Sequence, residues 1–436
     1  MPVAALVLSA GLAMPNTASA QDCDPAELFA PQSLYDARNQ PFAVASGDLN
    51  SDGVADLVVS HGLSDEVSVL LNDGDGTFAP EVAYAGVDGL RGLAIGDLDG
   101  DGDADVAVTN RNDLSISVLL NLGDGTFAPQ VAYDASSPVA VAIGDLDGDG
   151  DADLAIANDV FVAADSLGVL LNNGDGTFAT EIQYDVGVDP AAVVLGDLDG
   201  DGDLDASVAI FGPAFFGPGC LSVLLNSGDG TFGSQVQYDA GDGGESPASV
   251  AIGDLDGDGD ADLAVANAGG FGDGTLVSVH LNGGDGNFAP QVLYEAGDGA
   301  QSVAIGDLDG DGDADLAVAN AVSDRVSVLL NLGDGTFGPE VPFGAGDGPR
   351  SVALDDFDGN GSLDVATANS VSFRPDGVSV LLNQCGTGTE PCVPDLDGDG
   401  ELTIFDFLEF QSLFATGDAR ADLDGSGPLD IFDFLA

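Results

Sequence analysis

Gly306-Asp-Leu-Asp-Gly-Asp-Gly-Asp-Ala-Asp-Leu-Ala-Val-Ala-Asn320 is the stretch whose reading decides the fold. It recurs, nearly letter for letter, seven times, with first aspartates at Asp48, Asp97, Asp145, Asp197, Asp254, Asp307 and Asp356. Successive copies lie 48 to 57 residues apart, a period that marks a propeller or a solenoid. Counted from Asp307, the carboxylates read as ligands fall at positions 1, 3, 5 and 9, glycine stands at position 6, and this copy has a further acid, Asp313, at position 7. Carboxylates so crowded within nine residues repel one another unless a cation sits among them. Oxygen-only ligation from a flexible loop favours Ca²⁺ over Mg²⁺. Gly312 permits the left-handed turn that wraps such a loop around an ion.

The expected metal ligands follow copy by copy. They are Asp48, Asn50, Asp52 and Asp56; Asp97, Asp99, Asp101 and Asp105; Asp145, Asp147, Asp149 and Asp153; Asp197, Asp199, Asp201 and Asp205; Asp254, Asp256, Asp258 and Asp262; Asp307, Asp309, Asp311 and Asp315; Asp356, Asp358, Asn360 and Asp364. Position 7 varies from Val54 to Asp103 to Ser362, as expected where only a backbone carbonyl is used. Asn50 and Asn360 keep an oxygen but drop a charge, so the first and last sites are expected to bind more weakly. A simple turn has no need of an acid at position 9. An EF-hand loop would need an acid at position 12 and a helix after it, whereas Leu316-Ala-Val-Ala319 reads as a strand.

Around each loop the same pieces recur: Ser302–Ile305 before it, then Leu316–Ala319, Val326–Leu330 and Phe337–Phe343. Each run is short, rich in Val, Ile, Leu or Phe, and bounded by Gly, Asn or Asp, which reads as four strands per unit. The middle runs are apolar on both faces, as between packed sheets. Alanine-rich first strands suit the narrow axis of a ring. The fold class is therefore all-β, a seven-bladed propeller of four-stranded blades. Its closure is legible as well. The seventh unit stops at Leu381-Leu-Asn383 without a fourth strand, and Phe29-Ala-Pro-Gln-Ser-Leu-Tyr-Asp36 matches Phe127-Ala-Pro-Gln-Val-Ala-Tyr-Asp134. Residues 29–36 are expected to complete the last blade and hide its open edge. A second motif, Asn-x-Gly-Asp-Gly-Thr-Phe, from Asn72, Asn121, Asn172, Asn226 and Asn331, with Asn287 replacing Thr after Asn282, reads as a hairpin turn with its Phe between blades.

The chain carries 76 acids against 7 bases, a net charge of −69, and every base is arginine. Nucleic acid and anionic membrane both require positive charge, so neither is an expected partner. Such self-repulsion opposes compaction unless divalent ions or salt offset it. Residues Val3–Ala13 form an apolar run and Ala18-Ser19-Ala20 a cleavage site. Together they read as a signal peptide at 1–20, too short to span a bilayer, so the protein is expected to be secreted or at the cell surface, without membrane insertion. Four cysteines in an exported chain suggest bridges, with Cys23–Cys385 and Cys385–Cys392 as the alternatives.

On these residues, 29–383 resemble the FG-GAP (VCBS-type) repeats of the integrin α-subunit propeller and of many exported bacterial proteins. The resemblance implies that the calcium loops join strands one and two on the lower face, with ligands at positions 1, 3, 5 and 9. A propeller at 21–383 is followed by a Gly/Thr/Pro-rich linker at 384–394. Residues 395–436 resemble a small α-helical dockerin type I module, apparently truncated at Ala436. Its paired loops offer Asp395, Asp397, Asp399 and Asp406, then Asp422, Asp424, Ser426 and Asp433. Positions 10 and 11 are Ile404-Phe405 and Ile431-Phe432 rather than small hydroxyl residues, a departure from a cohesin-recognising pattern, so a cohesin-like partner would depend on other contacts. The expected cofactor is Ca²⁺, about seven ions in the propeller and up to two in the C-terminal module.

Loops opposite the calcium face carry most of the variation in length. Arg38, Arg91, Arg111, Arg325, Arg350 and Arg374 are placed there, with His61, Phe161, Phe215, Phe216, Phe271 and Phe373. The reading is a non-enzymatic recognition or adhesion module, expected to be a monomer, whose partner is an extracellular glycan or protein. The alternative is a carbohydrate-active enzyme, a polysaccharide lyase or hydrolase. Only two His, no Lys and no evident nucleophile–base pair speak against it.

Overall fold

The computed structural model describes residues 25–37, 40–86, 88–160, 165–212, 219–241, 246–268, 274–370 and 377–385. These residues belong to a unit that ends at Cys385; the second unit, Gly386–Ala436, lies outside them. So do the expected signal peptide at 1–20, the expected linker and dockerin-like loops, and Cys23, Cys392, Arg38, Arg374, Phe161, Phe215, Phe216, Phe271 and Phe373. No helix among the described residues is long and apolar enough to cross a membrane.

Among the described residues twenty-eight strands, β1 to β28, form seven four-stranded antiparallel sheets. Six blades take four consecutive strands each. In the sixth these are β22 (Ala300–Gly306), β23 (Asp315–Asn320), β24 (Arg325–Leu329) and β25 (Val341–Gly344). The seventh is β26 (Pro349–Asp355), β27 (Asp364–Asn369), β28 (Gly377–Leu381) and, outermost, β1 (Ser33–Asp36). Ser33 pairs with Val380 and Asp36 with Gly377, and Phe29 bridges Asn383 farther along. The chain's N-terminal strand thus closes the last blade, as the internal match to residues 127–134 implies.

The innermost strands are β2 (Pro41–Gly47), β6 (Leu90–Gly96), β10 (Pro138–Gly144), β14 (Pro190–Gly196), β18 (Pro247–Gly253), β22 and β26. Each touches the next and β26 touches β2, so the ring is closed. Second strands such as β23 and β27 are buried at every residue, because each lies between two neighbouring sheets. Outer strands expose most of their residues. The apolar core is consequently not central but sevenfold. In one cluster Leu98, Ile116 and Val118 of blade two meet Leu154, Ile156 and Leu170 of blade three. At the closing seam Val44, Leu57 and Phe78 meet Phe357, Ala366 and Val378. Position 2 of every acidic loop is part of this core: Leu49, Leu98, Leu146, Leu198, Leu255, Leu308 and Phe357 are at most 1% exposed.

Every inner strand shifts register just after its first residue, so its second residue is left out of the ladder. A bulge of this kind bends a strand and re-aims a side chain. These bulges correct the placement of the arginines. Arg91 and Arg350 are the second residues of β6 and β26, and Arg325 opens β24; none of the three is in a loop. Cys220 likewise begins a strand, Cys220–Leu224, and is a free thiol pushed up to about 11 by burial and by Asp239. Cys385 is disulfide-bonded, to a residue outside those described.

Candidate metal centres

In each blade the acidic loop joins the inner strand to the second strand, and position 9 is the first residue of the latter. Gly306 ends β22, Asp307 opens the loop, and Asp315 begins β23. Backbone amides orient every carboxylate. Gly310 N and Gly312 N donate to the two oxygens of Asp307 at 2.8 and 3.0 Å. Asp311 N donates to Asp309 at 3.2 Å and Asp313 N to Asp311 at 2.9 Å. Gly312 sits at φ +96°, the left-handed region that glycine alone enters without strain.

The result is a pocket of converging oxygen donors. One carboxylate oxygen each from Asp145, Asp147 and Asp153 lie within 4.8 Å of one another, and the same holds for Asp197, Asp199 and Asp205 and for Asp254, Asp256 and Asp262. In the second blade the grouped residues are Asp97, Asp99 and Asp101. Ca²⁺ takes its ligands at 2.3–2.6 Å, so opposed ligands lie about 5 Å apart; the donor set fits an ion of that size and hardness. The loops thus bring together positions 1, 3 and 9 or 1, 3 and 5, the residue types singled out in the sequence.

Position 9 is the electrostatic anomaly. Asp56, Asp105, Asp153, Asp205, Asp262, Asp315 and Asp364 are at most 1% exposed. Burial, opposed by two backbone amides and reinforced by the neighbouring aspartates, pushes Asp315 and Asp364 up to about 7 and Asp56 up to about 6. A buried anion among like charges is costly without a counter-ion.

Asp315 also carries a feature the sequence did not disclose. Its second oxygen accepts Asn331 N at 2.8 Å, while its first accepts Leu308 N at 2.8 Å. The Asn331 side-chain amide then donates to Ala314 O at 2.8 Å and, in the preceding blade, to Leu255 O at 2.7 Å. Asn72, Asn121, Asn172, Asn226, Asn282 and Asn383 make the same reach to Phe357, Leu49, Leu98, Leu146, Leu198 and Leu308. The Asn-x-Gly-Asp-Gly-Thr-Phe motif is a turn as expected, yet its first residue ties each acidic loop to the next blade. Its Phe packs edge-on against a tyrosine of the preceding outer strand, as Phe337 does on Tyr294 at 5.3 Å. Asn331→Ala leaves two buried carbonyls without donors, at about 1–3 kcal/mol each. Thermal unfolding should show a loss of about 3 kcal/mol, against less than about 0.5 kcal/mol for the exposed neighbour Leu332→Ala.

The opposite end of the blades holds Arg91, Arg111, Arg325 and Arg350. Arg325 lines a cavity of about 700 Å³ with Tyr294, Glu295 and Glu340 between the fifth and sixth blades. Arg111 ion-pairs with Asp159. Arg91 and Arg350 lie over one ring, that of Phe42, at 5.2 and 5.8 Å. His61 is not on this surface: it is buried at the end of a strand, with Nε2 2.9 Å from Ser68 Oγ, whose hydroxyl donates to Glu81. His280, also buried, is neutral at pH 7, since burial lowers its pKa to about 4.

The FG-GAP-like repeat matches six times, at residues 48–108, 97–156, 157–208, 214–265, 265–318 and 315–367. No curated protein sequence matches this chain. Among solved structures, an inactive variant of virginiamycin B lyase from Staphylococcus aureus with quinupristin is 14% identical, with a TM-score of 0.52 over 81% of this chain and 99% of that one. Hydrazine synthase of Kuenenia stuttgartiensis is 15% identical, TM-score 0.53, over 81% and 98%. A protein of unknown function from Desulfotomaculum acetoxidans is 14% identical, TM-score 0.52, over 76% and 92%. At such identities the likeness is one of fold.

Proposed function

This chain belongs to the FG-GAP-like repeat family, and from that premise we propose that it is an exported calcium-binding recognition module. A propeller of such repeats is a scaffold suited to ligand binding. The observation that carries the calcium reading is the buried aspartate at position 9 of every loop, which in the third, fourth and fifth blades groups with the oxygens of positions 1 and 3 within 4.8 Å. Asp48, Asp52, Asp97, Asp101, Asp145, Asp149, Asp197, Asp201, Asp254, Asp258, Asp307, Asp311, Asp356 and Asp358 would complete the donor sets, with Asn50 and Asn360 making the first and last sites weaker. Bound Ca²⁺ would neutralise the loop carboxylates and fix the corner between the first two strands of each blade. The ligand, an extracellular glycan or protein, would meet the end that carries Phe42 and the arginines. Export rests on the signal-like residues 1–20. An array of acidic and neutral glycans and extracellular proteins, probed with Ca²⁺ and again with EGTA, tests this. Capture that EGTA abolishes supports it; capture indifferent to EGTA, or none at all, contradicts it.

The titration of position 9 supplies a second check with an unusual sign. Without metal, these carboxyls have folded pKa values raised from 3.8 to about 6 or 7. A raised value means that the folded state holds more protons than the unfolded one, so the stability it contributes is full below about pH 4 and is lost as pH rises through 6 to 7. The chelated protein should therefore melt higher at pH 5 than at pH 8. With millimolar Ca²⁺ the order should reverse, because ion and proton compete for the same carboxylates. Differential scanning calorimetry at the two pH values, with and without chelator, reads both signs.

A further inference from the structure

The inner-strand bulges set seven second residues round the axis, at the end opposite the acidic loops: Phe42, Arg91, Val139, Ala191, Ala248, Gln301 and Arg350. In a chain of 76 acids and 7 bases, two of them are guanidiniums on the blades either side of Phe42. Both lie over its ring. Neither ion-pairs with a carboxylate among the described residues, whereas the nearby Arg111 does, with Asp159. An arginine surrounded by so many acids would ordinarily be expected to find one.

The geometry points to an oxyanion-binding site at this axial mouth, built from Arg91, Arg350 and Phe42 and suited to the carboxylate or sulfate groups of an acidic sugar. It rests on the reading of this end as the recognition face. The Arg91 bulge is held in place before any ligand arrives. Ser60 Oγ donates to Arg91 O, and Thr109 Oγ1 donates to Gly92 O at 3.2 Å. Gly92 lets the bulge press on the third blade, where a Cβ would meet Ala140 Cα at 2.8 Å. Ser351 Oγ accepts Val44 N at 3.2 Å, locking β26 to β2 beside Phe42. Burial lowers the Arg91 pKa, with Arg111 and then, against Asp159, Arg350 contributing; two like charges share the mouth. An oxyanion would relieve that repulsion and accept charge-assisted hydrogen bonds from planar, pre-set donors.

The test is isothermal titration of the calcium-loaded full chain with sulfate, galacturonate, trigalacturonate and neutral galactose, at fixed free Ca²⁺ and ionic strength. Sulfate and galacturonate should bind and galactose should not. Arg91→Gln and Arg350→Gln should each weaken binding by at least about tenfold, and the pair should abolish it. Leu332→Ala, exposed at the acidic-loop end of the ring, should leave it unchanged. Tighter binding of trigalacturonate than of the monomer assigns the site to a sugar chain; sulfate binding without any sugar binding overturns that assignment. No oxyanion binding in the wild type, or wild-type affinity in the double variant, overturns the site. Should Arg91→Gln fail to fold by circular dichroism, Arg350→Gln, whose side chain is exposed, decides alone. Oxyanion binding that survives while Ca²⁺ has no effect on melting would fault the calcium reading and spare this one.

Discussion

In EGTA the melting temperature of this protein is expected to fall by tens of degrees, with loss of the β signal in circular dichroism at low ionic strength. The magnitude follows from linkage. An ion present at a hundred times its Kd stabilises the folded state by about 2.7 kcal/mol per site, so seven sites contribute about 19 kcal/mol. That exceeds the usual 5–15 kcal/mol stability of a domain. Removing the ions does more than subtract this binding energy. It restores the repulsion among the acids of each loop in a chain of net charge −69, and the buried position 9 must then either take up a proton or stand as an anion without a counter-ion. Salt should rescue only part of the loss, since screening acts well on exposed charges and poorly on buried ones. Added Mg²⁺ should rescue little, because it demands a smaller octahedral site and sheds water reluctantly. Unchanged melting in EGTA would remove the calcium reading from every blade.

The second large effect is at the seam. Deleting residues 1–36 should leave the ring open, and the protein should aggregate or fail to fold. Among the described residues β1 alone pairs with the β28 edge, from Ser33–Val380 to Asp36–Gly377. The deletion also removes Leu28 and Phe29, which pack with Phe343, Val352 and Leu381, and Tyr35, which packs on Phe78 at 5.3 Å. Losing three such side chains costs about 2–5 kcal/mol each, and an exposed edge strand recruits other chains. A synthetic peptide of residues 25–37, added in trans, should restore solubility by adding a strand to that edge. A truncated protein that stays monomeric, with native melting and no response to the peptide, would show that the closure is dispensable.

Much of this fold is legible in the sequence because each repeat states its own local rules. Asp307 to Asp315 announces the corner between strands, the Val- and Ala-rich runs announce strands buried on both faces, and Phe29 to Asp36 announces a displaced fourth strand. What lies between repeats is harder to read. Asn331 looks like part of a turn, and is; that its amide reaches Leu255 O, 76 positions earlier, leaves no local mark. The same is true of Tyr294 on Phe337. The positions of the arginines are hidden for a related reason. A bulge is a one-residue slip in register and alters no composition, so Arg91 and Arg350 read as loop residues although they stand on inner strands. His61 was drawn to the variable face by its neighbours, whereas the Ser68 hydroxyl offers it a buried partner. In the loops the opposite holds: position 9, chosen only for its spacing, proves to be the most buried acid of each group.

Calcium bound per chain, counted by equilibrium dialysis at millimolar free Ca²⁺ and corrected with a chelated blank, tests the central claim most directly. The account predicts seven ions from the ring, the first and seventh blades filling last, and up to two more from the loops at 395–433. A count of two or fewer would contradict it, since those C-terminal loops alone could supply that number.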